Sequence, residues 1–134
     1  MHWPAAIRER GAWRTQVGHV MDFMPTLAEV AGCRYPAERD GRPVLPAEGV
    51  SLLPAFAGKP LAREFLAWEH EGNAALRAGD WKLVRVGAKG PWQLFDFRTD
   101  RTELHDLAAQ HPERVKAMAA QWEAWAERTY SRPR

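Results

Sequence analysis

Between Pro112 and Thr129 the apolar positions fall at Val115, Met118, Ala119, Trp122, Trp125 and Ala126. Steps of three and four place all six on one stripe of an α-helix, because residues at that spacing recur on the same face of the turn. Such a helix is roughly 27 Å long at about 1.5 Å per residue. Upstream the period shortens. Apolar runs at Glu64–Trp68, Ala74–Arg77, Trp81–Val86 and Trp92–Phe97 alternate with turn chemistry at Glu71-Gly72-Asn73, Gly79-Asp80 and Gly87 to Pro91. That pattern predicts an antiparallel meander of four strands. A helix with one apolar stripe must bury it, and the sheet is the surface available. A solvated loop is expected at Arg98–Thr102, before the helix.

The first half of the chain is less periodic. Residues Arg14 to Gly18 read as extended. A helix is predicted from Asp22, whose carboxylate can cap the free amides, with Pro25 in its first turn and Gly32 as its stop. Leu27, Val30 and Ala31 form its apolar face. Residues 33–50 hold three Pro and two Gly and read as a surface loop. Ser51 is placed to cap a short helix from Leu52 to Ala57, with Pro54 in the first turn and Gly58 after it. The expected fold is therefore α+β: a four-stranded antiparallel sheet packed by a C-terminal helix, preceded by two short helical segments. Residues 1–60 form an N-terminal helical and loop segment. Residues 61–134 form the sheet and its helix.

Composition narrows the function classes. A chain of 134 residues with 46% apolar content can bury a core, and its seven Trp supply large apolar area. Lys and Arg number 19 against 17 Asp and Glu, interspersed, so no clustered basic face argues for nucleic acid. No run approaches the 18 or so apolar residues of a membrane span, and the N-terminus has no basic region followed by an apolar core. A single cysteine excludes an internal disulfide.

Several residues invite chemistry. His70 lies between Glu69 and Glu71, but successive strand residues point to opposite faces, so both glutamates cannot join it at one metal. The plain alternative is a strand-end His beside a carboxylate. His19 and Asp22 have the spacing of a base and its orienter, yet Asp22 is more simply a helix cap and no nucleophile is at hand. Glu103, His105 and Asp106 read as an acidic, solvated turn. Cys33 reads as a helix-end packing residue. Trp81, Trp122 and Trp125 suggest a stacking platform, but their spacing is that of core. Lys82 and Arg85 fall on opposite faces of their strand and do not make one anion site.

Three segments together are more specific. Trp68-Glu69-His70-Glu71-Gly72-Asn73 followed by Arg77-Ala78-Gly79-Asp80-Trp81-Lys82-Leu83 resembles the W-E-H-E-G-N…R-x-G-x-W-K-L hairpin near the C-terminus of the arylsulfatase family. His19-Val20-Met21-Asp22-Phe23-Met24-Pro25-Thr26 is similar to that family's H-x-x-D-x-x-P-T segment. Gln93-Leu94-Phe95-Asp96 with Thr102-Glu103-Leu104-His105-Asp106-Leu107 is similar to its L-Y-D-L…E-x-x-D-L ending. The resemblance runs from Trp3 to about Tyr130.

The resemblance implies sulfate-ester hydrolysis for a full-length parent, by a formylglycine made from Cys or Ser in C/S-x-P-x-R and a calcium held by an Asp-Asp and an Asp-Asn pair. None of these maps onto this sequence. Cys33-Arg34-Tyr35-Pro36 has Pro one place too late. The chain looks like a sulfatase C-terminal part without its catalytic domain, and is expected to be inactive alone, with no catalytic residue, no metal site and no cofactor of its own. The hairpin is expected to face the substrate cleft, with His70 and Asn73 lining it. The surface left bare, at Asp22–Ala31 with Trp3, Trp13, Met21, Phe23 and Met24, is expected to join two copies. The other reading is a stand-alone interaction domain that keeps the tail fold.

Overall fold

A computed structural model describes residues 2–9 and 11–129. The chain divides after Arg63 into two compact units.

In the C-terminal unit, β3 (Leu66–His70), β4 (Asn73–Ala78), β5 (Trp81–Arg85) and β6 (Trp92–Asp96) form an antiparallel sheet in chain order. The register aligns Ala67, Leu76, Leu83 and Leu94 in one row across all four strands. The three leucines are fully buried. Helix α3 (Pro112–Thr129) lays Met118 and Trp122 on this row, with Val115, Ala119, Trp125 and Ala126 packed beside them. The helix and its stripe are those expected from the sequence. Trp122 adds a polar anchor: its indole N–H donates to the Trp68 carbonyl at 2.9 Å. The Arg85 guanidinium lies over the rings of Trp92 and Trp122, 4.6 and 4.9 Å from their centroids.

The first turn of the meander is shorter than expected. His70 pairs with Asn73, so only Glu71 and Gly72 make the turn, at φ 53° and 83°. Two consecutive left-handed residues match the twist of a tight hairpin. The ladder therefore runs on to His70, and β3 lies two residues beyond its expected place.

The opposite edge of the sheet is closed by the loop before α3. The Leu94 carbonyl accepts from Leu107 N–H, and Leu94 N–H donates to Asp106 Oδ1 at 3.0 Å. Asp100, only 8% exposed, accepts from the backbone N–H groups of Leu104 and His105 and from the Thr102 hydroxyl. The loop is thus not simply solvated: Asp100 and Asp106 are its internal acceptors, supplying partners that backbone amides near a packed edge need.

In the N-terminal unit a 3₁₀ turn, Val20–Asp22, leads into α1 (Phe23–Val30). Pro25 sits in the first turn of α1, as expected. The helix ends in a Schellman arrangement: Gly32 takes φ 66°, its N–H returns to Glu29 O, and Cys33 N–H returns to Ala28 O at 2.8 Å. Cys33 itself is exposed, so its backbone rather than packing explains its place. Within the expected loop a small hairpin forms, β1 (Glu38–Arg39) with β2 (Arg42–Pro43), turned by Asp40 and Gly41 at positive φ. Helix α2 (Leu53–Phe56) follows, and Ser51 Oγ accepts from Leu53 N–H.

Candidate functional site

His70 and Asn73 face one another across the Glu71-Gly72 turn, and both are exposed. They share a sheet face with Trp68 and Ala75, the face opposite α3. Glu69 points the other way in the ladder and accepts from Gly72 N–H at 2.8 Å, which braces the turn. His70 Nε2 lies 4.0 Å from Glu71 Oε2, the strand-end pairing that the sequence offered as the plain reading. Asn73 Oδ1 accepts from Gly87 N–H at 2.9 Å and so ties this turn to the loop between β5 and β6. The tip therefore presents an imidazole and a carboxamide on a braced hairpin. Both can hydrogen-bond the oxygens of an anionic or hydroxylated ligand.

The His19-to-Thr26 segment is a knot of hydrogen bonds. Asp22 is fully buried. Its carboxylate accepts from His19 N–H at 2.7 Å and Val50 N–H at 3.0 Å, and pairs with the Arg63 guanidinium. His19 Nδ1 accepts from Met21 N–H, completing a capping box around the 3₁₀ turn. Thr26 bridges two segments: its hydroxyl donates to Asp22 O and accepts from Leu52 N–H at 2.8 Å. Gly49 lies so close that a Cβ there would sit 2.1 Å from Met21 O. Burial pushes the Asp22 carboxyl up, but its bonds to Arg63, His19 and Val50 outweigh this and leave it below the usual carboxylate range.

One expectation is corrected here. Asp22 does not cap α1 through its side chain; it looks back to His19 and across to Val50 and Arg63. The His19 backbone N–H donates to the Asp22 carboxylate while its ring Nδ1 accepts from Met21 N–H.

Elsewhere, Lys82 pairs with Glu103, and Arg77 and Lys82 both lie over the Phe97 ring, at 4.9 and 5.5 Å. Arg85 is on the other face, as expected. Trp81 is edge-on to His111 at 5.2 Å and covered by Arg114 at 4.4 Å, so it is no open platform. Asp96 is gripped by Arg98, whose side-chain and backbone bonds hold its carboxyl at about 2. Among the described residues no three His, Cys, Asp or Glu side chains gather to hold a metal ion. The buried carboxylates Asp22, Asp96 and Asp100 are already committed to N–H, hydroxyl or guanidinium donors. No helix among the described residues is long and apolar enough to cross a membrane.

No protein-family model matches the chain. Individual proteins do. It is 34% identical over 110 residues to an uncharacterized sulfatase of Schizosaccharomyces pombe, covering 77% of this chain and 20% of that protein. It is 37% identical over 93 residues to the choline-sulfatase of Rhizobium meliloti, covering 66% and 17%. The crystal structure of Ps i-CgsB superposes with a TM-score of 0.75 at 25% identity, over 93% of this chain and 27% of that one. The chain is related to the sulfatases and corresponds to a C-terminal part of one. It spans about a fifth of the length of the curated relatives it matches.

Proposed function

We propose that this chain is the C-terminal region of an arylsulfatase, a sulfuric ester hydrolase, in which it walls the substrate cleft and supplies no hydrolytic chemistry of its own. The observation that carries the reading is the hairpin tip. His70 and Asn73 stand opposed and exposed on a turn braced by Glu69 and Gly87, in the segment that carries the resemblance. The braced turn fixes the backbone from which both side chains project, and Asn73 Oδ1 is itself held by Gly87 N–H, which favours placement of a substrate oxygen. The Asp22 knot, by contrast, has every strong donor and acceptor turned inward, and its role is scaffold.

A chimaera tests this. The matching C-terminal segment of the choline-sulfatase is replaced by this chain, and sulfate-ester turnover is compared with His70→Ala and Asn73→Ala versions. The reading expects kcat/KM to fall by about tenfold or more for His70→Ala, the loss of one or more kcal/mol of binding in the transition state. Unchanged kcat/KM in both variants, with the melting temperature retained, would overturn it.

A further inference from the structure

A carboxamide has two unlike ends, and the fold fixes which end of Asn73 is left for a ligand. The Gly87 backbone N–H meets the Asn73 side chain at 2.9 Å. A backbone N–H can only donate, so the atom facing it must be the carbonyl oxygen Oδ1 and not the amino group. The polarity of the side chain is therefore set by the backbone of the loop between β5 and β6.

That loop is tightly built. Gly87 adopts φ 71°, in the left-handed region that favours glycine. Gly90 N–H returns to Gly87 O at 3.3 Å, and a Cβ on Gly90 would sit 2.0 Å from Val86 O. The loop also lies against the hairpin turn, because a Cβ on Gly72 would be 3.4 Å from Ala88 N. The donor that holds Oδ1 is thus carried by a close-packed turn.

The brace uses only half of the carboxamide. An aspartate at this position would accept from Gly87 N–H equally well, so the brace has no use for the Nδ2 amino group. Among the described residues no acceptor meets Nδ2, and Asn73 is exposed on the sheet face it shares with His70.

We propose that Asn73 is a specificity-determining residue that meets the substrate as a hydrogen-bond donor through Nδ2. Its partner is an oxygen with no hydrogen of its own, the class of sulfate and carboxylate oxygens. A hydroxyl could bond an aspartate as well as an asparagine; an oxygen without a hydrogen needs the amide. The assignment rests on the reading of the hairpin tip as a cleft wall.

The choline-sulfatase chimaera carrying this chain tests it. Asn73→Asp keeps the acceptor for Gly87 and removes the donor. On a sulfate ester whose only oxygens are those of the sulfate, this change should lower kcat/KM by about tenfold or more, the loss of a charge-assisted bond, with the melting temperature retained. If the loss appears only with an ester that also bears a carboxylate, the carboxylate is the partner. A kcat/KM within about twofold of wild type on both esters overturns the proposal. So does a loss matched by a fall in melting temperature, which would make Nδ2 a bond within the protein. His70→Ala separates the failures: if it lowers kcat/KM while Asn73→Asp does not, the donor assignment alone falls, and if both are silent the cleft-wall reading falls with it. Should the chimaera be inactive, nuclear magnetic resonance of the chain itself decides. A scalar coupling between the Gly87 amide nitrogen and Asn73 Cγ across the hydrogen bond is expected, and its absence overturns the fixed polarity.

Discussion

Replacing Trp122 by alanine removes the largest side chain in the C-terminal core. Trp122 is 5% exposed, lies edge-on to Trp92 at 5.8 Å and tilted against Trp125 at 6.2 Å, and carries the Arg85 guanidinium over its ring. Truncating a buried Trp to Ala costs about 3–5 kcal/mol, combining lost transfer energy with the cavity left behind. The indole N–H bond to Trp68 O contributes about 0.5–1.5 kcal/mol of that, and the aromatic pair a similar amount. The upper half of the range, about 4–5 kcal/mol, is therefore expected. Trp122→Phe separates the parts: it keeps most of the apolar area and loses the N–H, so about 1–2 kcal/mol is expected. Urea unfolding followed by circular dichroism, fitted for the midpoint and slope, measures both. If Trp122→Ala unfolds within 1 kcal/mol of wild type, α3 is not docked as described. If Trp122→Phe is as damaging as Ala, the indole bond rather than packing dominates, and the ledger is wrong.

Two further predictions concern carboxylates. Asp22→Ala strips the partner from Arg63, whose side chain is 10% exposed, and from the amides of His19 and Val50; breaking such a buried pair costs about 3–5 kcal/mol, and hydrogen exchange at Val50 should accelerate accordingly. Asp96, held at about 2 by Arg98, has a folded pKa below its unfolded value near 3.9. It stabilises the fold above about pH 4, and that contribution is lost as pH falls toward 2. The difference in melting temperature between wild type and Asp96→Asn should therefore be largest near neutrality and shrink below pH 4; a difference that stays constant to pH 2 would refute the linkage.

What the sequence revealed depended on distance along the chain. Helix α3 and the meander were legible because a period of three and four gives way cleanly to alternation, and Trp122 and Met118 then fall on the row of Leu76, Leu83 and Leu94. The pairing of His70 with Asn73 was half legible. A turn is evident, but Glu71 in the left-handed region is unusual for a residue with a side chain, so the sequence suggests three turn residues where two suffice. The Asp40-Gly41 hairpin carried the right turn dipeptide but lacked alternating apolar flanks. The Asp22 knot was not legible at all. A carboxylate just before a helix reads as its cap, while its partners Val50 and Arg63 lie 28 and 41 residues away. Nothing local marks Arg63, and the same holds for Asp100 and the fold of the loop around it.

On the proposed reading, these 134 residues wall the cleft of a sulfatase and supply none of its chemistry. The most direct test incubates the pure chain with an aryl sulfate and calcium and follows release of the aryl alcohol against a heat-killed control. No difference between the two is expected, since the sequence holds no C/S-x-P-x-R motif and, among the described residues, no three His, Cys, Asp or Glu side chains gather to hold the ion. Turnover clearly above the control, abolished by substitution of a residue in this chain, would contradict it.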